Sequence, residues 1–390
     1  MPTLGDYITI KHGYAFKGDY ITSENNGIVL VTPGNFEIGG GFKERKCKFF
    51  SGNYPNEYVL KPNDLIVSMT DLSKQGDTLG YSARVPKSER IYLHNQRIGL
   101  VDVFNPAADK DYIYWFMRTS HYQKTIATTA SGSTVKHTSP SRICAVEIDL
   151  PSIDEQRKIA ALLSSLEAKM RINDRINDNL LQQLHMLYSQ LFCDSDMDTP
   201  LGDVVVTKSG GTPSRKHNEY YSNSLICWVK SKELLGNYIY ETEEHINDLA
   251  INKSSAKLLP EHSILIAMYG ATVGAYGIIS KSMTCNQAVC ALLCNEDYPY
   301  TYLFQIAHES QQRLINLAVG SAQQNISQVL IKQLTIHSNL NAIQKFHALA
   351  LPLHREIESL QAENIRLLSL RDTLLPKLMS GEIDVSAVQL

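Results

Sequence analysis

Three polar loops in the first half of the chain and three in the second carry side chains that can bind a nucleic acid. Lysine and arginine can hold phosphates, whereas serine, threonine, asparagine and glutamine can hydrogen-bond base edges in the major groove. The predicted contact residues of the first half are Lys11, Lys17, Thr70, Lys74, Gln75, Ser133, Thr134, Lys136 and His137. Those of the second half are Lys208, Ser209, Thr212, Ser214, Arg215, Lys216, Tyr269, Thr272, Gln323, Gln324 and Asn325. A single loop of this kind is more often an ordinary surface turn, but two sets of different composition predict two different specificities.

The sequence has none of the motifs that would place catalysis in this chain. It lacks a Gly-x4-Gly-Lys-Ser/Thr phosphate loop, a Gly-x-Gly-x-x-Gly turn opening a helix, His-Glu-x-x-His and Gly-x-Ser-x-Gly. It also lacks the Asn/Asp-Pro-Pro-aromatic box with which amino-methyltransferases hold a flipped base. We therefore predict no catalytic residues and expect that the chain is not an enzyme by itself.

The composition is that of a folded protein with a small excess of acidic groups. The 390 residues carry a formal net charge of −3 and are 43% hydrophobic. Because phosphate contacts need lysine and arginine, this charge argues against a nucleic-acid binder working alone, although it allows basic surfaces or a basic partner. No apolar run is long enough for a membrane span and no signal peptide opens the sequence, so we expect a cytoplasmic protein.

The cysteines do not predict a metal site. There are seven, an odd number without the spacing of a disulfide framework, which agrees with a reducing compartment. Cys285, Cys290 and Cys294 could be imagined as zinc ligands, but their sequence is typical of a buried strand and no Cys-x-x-Cys pair accompanies them.

The two halves of the chain share landmarks in the same order, which predicts a repeat. The matching pairs are Leu4-Gly5-Asp6 with Leu201-Gly202-Asp203, Asp64–Met69 with Ser263–Met268, Asn95-Gln96 with Asn286-Gln287, Gly132-Ser133 with Gly320-Ser321, and Gln156 with Gln344. Because the two Asn-Gln pairs precede apolar strands, structural hydrogen bonding that fixes a loop is favoured over base contacts as their role. The order of the landmarks indicates a globular domain, a long helix, a second globular domain and a second long helix.

Two leucine-rich stretches predict long amphipathic helices that pack against each other. Apolar residues recur three or four apart from Asp154 to Phe192, and again from Phe346 to Leu374. Such helices would be roughly 50 to 60 Å long at 1.5 Å per residue, and ordinary core helices are the alternative. Pro352 should kink or restart the second helix, and the polar Asn364 should fix the register. The predicted seam consists of Leu166, Ile176, Leu180, Leu184, Leu187, Leu353, Ile357, Leu360, Asn364 and Leu367.

Short β-branched or alternating segments separated by turn residues dominate each globular half. The predicted strands are 27–33, 64–69, 91–103 and 146–150 in the first half, and 225–229, 264–268, 277–280, 288–294 and 333–336 in the second. Each half also has one predicted helix, 112–127 and 300–318. The predicted fold class is α+β, with two repeated strand-rich domains and two long helices. The expected boundaries are 1–150, 151–193, 200–338 and 339–390.

Motifs spread over essentially the whole chain occur in an order typical of one protein family. The most specific is the run from Leu370 to Ile383 near the C-terminus, and Arg175–Asn179 is a second, on the first long helix. The others are Val29–Asn35, Met69–Asp71, Ser209–Arg215, Trp228–Ser231, Ala271–Gly274 and Asn286–Val289. Together these motifs resemble the specificity subunit of a type I restriction-modification system.

The resemblance implies two target recognition domains, each reading one half of a bipartite asymmetric sequence in double-stranded DNA. Two antiparallel helices would act as a ruler between them, and a strut of about 50 Å spans about 15 base pairs, or one to one and a half turns. No cofactor is expected on this chain. S-adenosylmethionine is expected on the modification (methyltransferase) subunits, and ATP with Mg on the restriction (translocase and endonuclease) subunits.

Helix faces outside the seam are candidates for docking the modification subunits, for example the side that carries Asn173, Asn177 and Gln183. A solvated polar face is the alternative interpretation of that side. Two other functions remain for the whole chain: a non-catalytic coiled-coil scaffold, and a targeting module of another multi-subunit defence or methylation system. A scaffold would explain the acidic net charge but not the two sets of polar loops.

Overall fold

The computed structural model describes residues 1–45, 47–71, 77–132, 135–193, 195–318 and 325–385. The chain divides into two compact units, of which the first comprises Met1–Lys169 and Leu367–Leu390 and the second Met170–Arg366. The predicted contact residues Lys74, Gln75, Ser133, Thr134, Gln323 and Gln324 lie outside the described residues.

The first unit contains two main sheets. Its strands are β1 (Ile8–His12), β2 (Ile21–Thr22), β3 (Ile28–Val31), β4 (Lys48–Phe50), β5 (Val59–Leu60), β6 (Leu65–Ser68), β7 (Thr70–Asp71), β8 (Ser82–Arg84), β9 (Ile91–His94), β10 (Ile98–Val103) and β11 (Lys136–His137). One sheet is antiparallel in the order β1-β10-β6-β8, and the other has the order β2-β4-β3-β9-β5 with a parallel pair between β3 and β9. A short ladder joins β7 to β11.

The helices of the first unit cover one face of its antiparallel sheet. They are α1 (Lys110–Phe116), α2 (Ser120–Thr129), α3 (Pro140–Cys144) and the beginning of the long helix α4 (Ile153–Phe192). Leu65 and Val67 of β6 share a core with α1, whereas Ile66 between them packs with the core of the second sheet. Successive side chains of a strand point to opposite faces, and the apolar run from Leu65 to Val67 is buried on both because both faces of β6 are covered.

The second unit is built in the same way. Its strands are β12 (Met197–Pro200), β13 (Val206–Ser209), β14 (Ile226–Val229), β15 (Tyr238–Ile239), β16 (His245–Ile246), β17 (Ile264–Ala267), β18 (Tyr276–Ile279), β19 (Thr284–Cys285), β20 (Val289–Leu293) and β21 (Thr335–His337). Its helices are the second part of α4, α5 (Leu201–Val204), α6 (Asp248–Lys253), α7 (Tyr300–Leu317), α8 (Gln328–Lys332) and the first part of the long helix α9 (Leu340–Met379). Ile264 and Ile266 of β17 pack with α7, and Leu265 packs with the core around β14.

The strand order repeats between the units, as the sequence landmarks predict. The second unit has the sheet β13-β20-β17-β18-β15, in which the first four strands follow the order of β1-β10-β6-β8. A three-stranded sheet, β16-β14-β19, covers it. The α+β fold with two strand-rich domains and two long helices is therefore confirmed.

Both long helices form, and each unit contains a segment of each. In the first unit, Ile159 and Leu163 of α4 share a core with Leu375 and Leu378 of α9. In the second unit, the shared core contains Leu184 and Tyr188 of α4 and Phe346, Ala350 and Ile357 of α9. Helix α9 is continuous through Pro352, so the restart that this proline could have caused does not occur.

The middle of the helix pair differs from the predicted seam. Asn173 is fully buried and its side chain donates to Glu363 Oε2 at 2.7 Å and Asn364 Oδ1 at 2.8 Å. Asn177 is also buried, whereas Ile176 is 38% exposed. The expectation that Asn173 and Asn177 lie on a free docking face is therefore wrong, because the contact stripe of α4 passes through these asparagines.

The remaining seam residues lie at the contact to different extents. Leu184, Ile357 and Leu360 are buried, and Leu166, Leu180, Leu187, Leu353, Asn364 and Leu367 are half-buried. The Asn364 amide donates to Met170 O at 3.3 Å and Asp174 Oδ1 at 2.8 Å, the kind of polar contact that fixes register.

Three predicted elements are wrong in detail. Segment 91–103 forms two strands in different sheets, since β9 pairs with β3 and β10 pairs with β6. Segment 112–127 forms α1 and α2, because Thr119 caps α2 by accepting the Tyr122 N–H at 3.3 Å. Segment 146–150 contributes only an isolated bridge between Glu147 and Thr3.

Candidate nucleic-acid interface

A lysine and two tyrosines, of which Lys11 and Tyr14 are exposed and Tyr58 is half-buried, form a group in the first unit that we call the first patch (Lys11, Tyr14 and Tyr58). Lys11 projects from β1, and its Nζ lies 5.2 Å from the centroid of the Tyr58 ring. The Tyr14 and Tyr58 rings are 5.2 Å apart, and Tyr14 is 41% exposed. A cation held over one tyrosine ring can bind a phosphate, and the exposed neighbouring ring of Tyr14 offers a surface for base stacking. Lys17 is also exposed, further along the same loop.

The loop of the first patch and its counterpart in the second unit are fixed by glycines at matching positions. A Cβ on Gly13 would lie 2.3 Å from Asn95 O, and one on Gly210 would lie 2.1 Å from Asn286 O. The two asparagine side chains form the turns, since Asn95 Oδ1 accepts the Arg97 N–H at 3.0 Å and Asn286 Oδ1 accepts the Ala288 N–H at 3.2 Å. This agrees with structural hydrogen bonding as the role of the two asparagines.

The second unit carries a denser group, the second patch (Arg215, Tyr221, Trp228, Lys230 and Glu244). The Arg215 guanidinium carbon lies 4.4 Å from the Tyr221 ring centroid and 5.5 Å from that of Trp228. Glu244 forms ion pairs with Arg215 through Oε2 and with Lys230 through Oε1. The aromatic rings and the carboxylate hold both cations, which leaves the exposed Arg215 ready to form paired hydrogen bonds.

The carboxylate of the second patch is ionised near neutral pH. The hydrogen bond from Lys230 lowers the pKa of Glu244 despite some burial, and the hydrogen bond from Arg215 adds to this effect. Glu244 therefore stays ionised and keeps its ion pairs with both cations.

Other predicted contact residues are distributed unevenly. Thr70 is only 4% exposed, and its hydroxyl lies 3.1 Å from Nδ1 of the exposed His137, so it supports that ring rather than facing solvent. Ser209 similarly donates to Gln328 Oε1 at 2.8 Å. Thr212, Ser214, Lys216, Tyr269 and Asn325 are exposed, whereas Lys136, Lys208 and Thr272 are half-buried. An isolated bridge brings Tyr269 and Asn325 together.

The patches contain residues that the sequence prediction missed. Tyr14, Tyr58, Tyr221 and Trp228 are not among the predicted contact residues, and Lys230 and Glu244 lie in segments without an obvious polar loop. Trp228 and Lys230 are part of the run Trp228–Ser231 that carries the family resemblance, which is the one signal that could have indicated them.

Two of the three cysteines considered as zinc ligands belong to strands, and the third directly follows one. Cys285 ends β19, Cys290 lies in β20 and Cys294 follows it. Cys285 and Cys290 are buried, and Cys294 Sγ lies 3.2 Å from His262 O. All three are free thiols, and burial raises the pKa of Cys285 and of Cys290 to about 12, so neither provides a ready thiolate.

Comparison with known proteins agrees with this architecture. Residues 1–182 and 196–359 match the model of the type I restriction modification DNA specificity domain. The MjaIX specificity subunit of Methanocaldococcus jannaschii is 26% identical over 303 residues, covering 70% of this chain and 69% of that protein. The HindI specificity subunit of Haemophilus influenzae is 21% identical over 456 residues, covering 89% and 99%. The crystal structure of the S subunit from M. genitalium shares the fold, with a TM-score of 0.53, 16% identity and coverage of 96% and 94%.

The chain therefore belongs to the DNA specificity subunits of type I restriction-modification systems, the non-catalytic component of these complexes. The family and the function predicted from the sequence are confirmed. Among the described residues, no helix has both the length and the apolar content that crossing a membrane requires.

Proposed function

We propose that residues 1–150 and 200–338 each read one half of a bipartite asymmetric DNA target, and that the first and second patches are contact points of the two domains. The proposal rests on one observation: the two units share a strand order but carry different groups of charged and aromatic side chains. The first set has a lysine over tyrosines, and the second has an arginine and a lysine around a carboxylate. A common framework with different donors at its surface fits a protein that reads two different half-sites.

The first experiment is to co-express the chain with a modification subunit of its system and to map methylated adenines in the host DNA. One split asymmetric motif is expected. Exchange of residues 1–150 for those of a relative should change one half of the motif and leave the other half and its position unchanged. Methylation with no split motif, or a change in both halves, would contradict the assignment. A stable complex without methylation would favour the scaffold alternative.

The second patch allows a sharper test of the second domain. In the assembled complex, Arg215→Ala should relax base preference in one half-site and weaken binding by about 1–3 kcal/mol if the guanidinium reads a base. Lys230→Ala should instead weaken binding to all sequences and reduce the slope of log K against log salt by about one. Lys232→Ala is the matched control, because Lys232 pairs with Glu243 outside the patch. Equal effects of all three variants would argue against a specific contact.

We propose that α4 and α9 set the distance between the half-sites. Each helix has 40 residues, about 60 Å at 1.5 Å per residue, which is compatible with half-site centres about one to one and a half turns apart. A footprint with centres closer than about one turn, or further apart than about two, would contradict this role.

Double-stranded DNA, modification subunits and restriction subunits are the proposed partners. S-adenosylmethionine would be held by the modification subunits and ATP with Mg by the restriction subunits, in the cytoplasm. The modification subunits would dock on exposed parts of α4, where Ile172 and Met186 are 53% and 60% exposed. Ile172→Asp should abolish co-purification with the modification subunit, whereas the nearby Asp178→Asn should not.

A further inference from the structure

A thiol, an imidazole and a carboxylate converge in the second unit at a place that neither the predicted contacts nor the family assignment uses. Cys227 lies on β14, His245 on β16, and Glu241 in the turn that precedes β16. The possible ligand atoms of these three side chains all lie within 4.8 Å of one another. We propose that Cys227, Glu241 and His245 form a zinc-binding site.

Strand pairing creates this convergence. Cys227 and His245 are directly opposite each other in the antiparallel ladder of β14 and β16, so their side chains share one face of the sheet. Glu241 reaches the same point, where Cys227 Sγ lies 3.1 Å from Glu241 Oε1 and His245 Nε2 contacts the same oxygen. Two strands and one turn therefore direct three donors to one position.

The turn that carries Glu241 is held in place independently of any ion. The Thr242 hydroxyl donates to Glu244 O at 2.7 Å and accepts the Trp228 N–H at 3.1 Å. Lys281 Nζ lies 3.5 Å from Glu241 Oε2, so it contacts the carboxylate oxygen that is turned away from Cys227 and His245. The site is thus largely formed before a metal arrives, which lowers the entropic cost of binding.

The donor set selects the metal. Sulfur, nitrogen and oxygen donors together suit Zn²⁺, whereas Ca²⁺ and Mg²⁺ require oxygen donors. On binding, the Cys227 thiol loses its proton to solvent and the His245 imidazole carries its proton on Nδ1, which leaves Sγ and Nε2 free to coordinate. Water would complete a tetrahedral site, since Glu241 is exposed and leaves one side open.

An ion here would strengthen the support of the second patch. Residues 241–245 contain Glu244, whose carboxylate holds Arg215 and Lys230. Coordination by Glu241 and His245 would fix the backbone on both sides of Glu244. The metal would therefore be structural, although the zinc site itself does not depend on DNA binding by the patch.

Cobalt(II) is the most direct probe, because a thiolate ligand gives it an intense near-ultraviolet charge-transfer absorption. The full chain, treated with chelator and then titrated with Co²⁺, should develop this band at one equivalent, and Zn²⁺ should abolish it. Cys227→Ser should lose the band, whereas Cys144→Ser should keep it because Cys144 belongs to the first unit. His308→Ala should also keep it, and this control removes the other group of metal-ligating side chains among the described residues, His185, His308 and Glu309.

His245→Ala provides a second test if Cys227→Ser fails to fold, because His245 is only half-buried. It should weaken Co²⁺ affinity by at least about 10-fold, the lower limit of the loss seen even for groups that only support a metal ligand. At a fixed concentration, Zn²⁺ should raise the Tm of the unaltered chain by more than that of this variant. Absence of the band in the unaltered chain, its survival in Cys227→Ser, or unchanged Co²⁺ affinity in His245→Ala would each overturn the proposal.

Discussion

A buried ion pair joins the globular part of the first unit to α4, and its removal is predicted to destabilise that unit strongly. The Arg118 side chain is 1% exposed and that of Glu167 10%. The Tyr114 hydroxyl contacts Glu167 Oε1 at 3.1 Å and Oε2 at 3.0 Å, and Arg118 Nε donates to Gly39 O at 2.7 Å. The guanidinium carbon also lies 4.4 Å from the Trp115 ring centroid. The pair therefore holds two helices, α1 and α4, and the loops of Gly39 and Arg118 together at a single point.

Glu167→Ala should cost about 3–5 kcal/mol, because it leaves the Arg118 cation buried without its carboxylate. The double variant Arg118→Met/Glu167→Leu removes both charges and should recover much of this loss, since apolar replacements of buried ion pairs are often neutral. Asp154→Ala is the control, because its ion pair with Arg157 is exposed and should contribute no more than about 1 kcal/mol.

The two tryptophans make the assay specific to one unit. Trp115 belongs to the first unit and Trp228 to the second. In a Trp228→Phe background, tryptophan fluorescence measured during urea unfolding therefore reports on the first unit alone. This separation is needed because a chain with two compact units need not unfold in one step. A loss below about 1 kcal/mol for Glu167→Ala, or a double variant less stable than that single variant, would refute the reasoning.

Three further predictions follow from local geometry. In a thermal unfolding assay, Gly210→Ala should lower stability by about 1–3 kcal/mol, because its Cβ would lie 2.1 Å from Asn286 O. Gly18→Ala is the control and should be neutral, because there is open space around Gly18. Asn177→Leu should raise stability by about 1–3 kcal/mol, because its buried Oδ1 has no hydrogen bond from the described residues, and the exposed Asn179→Leu should give no gain. Burial, together with the charges of His262 and His347, lowers the pKa of His354 to about 3, so the unfolded chain binds an extra proton between about pH 6.5 and 3. The stability of the second unit should therefore fall with decreasing pH in that window, and His354 should contribute at most about 1.4 kcal/mol per pH unit. His354→Phe should flatten this pH dependence, whereas His217→Ala should leave it unchanged.

Periodicity and repetition predicted the larger features because these depend on local patterns. The stripe of leucines predicted the first long helix nearly to the residue and the central part of the second, which extends beyond the stripe at both ends, and the order of landmarks anticipated the repeated sheet. Periodicity did not predict that Asn173, rather than Ile176, lies in the seam. A buried amide is tolerated there because Glu363 and Asn364 lie opposite it, and those partners are distant in sequence.

The candidate contact points were only partly predictable, for a similar reason. Lysines and arginines in glycine-rich loops are visible in the sequence, and Lys11 and Arg215 were found on that basis. What makes them distinctive is the aromatic ring beneath each and, for Arg215, a carboxylate 29 residues away. Cys227 and His245 are likewise ordinary residues until strand register places them opposite each other. Long-range pairing creates such groups, and composition alone does not reveal it.

The division of the chain into units has a consequence for how the protein is made on the ribosome. The core of the first unit includes Leu375, Leu378 and Val385, which are translated after nearly everything else. The second unit, Met170–Arg366, is continuous in sequence. Closing the first core therefore requires a contact across more than half of the polypeptide, a slow step because of the loop that must be closed. The second unit can therefore fold before the first, although it is synthesised later. Apolar core residues of the first unit stay exposed until the end of α9 has been synthesised.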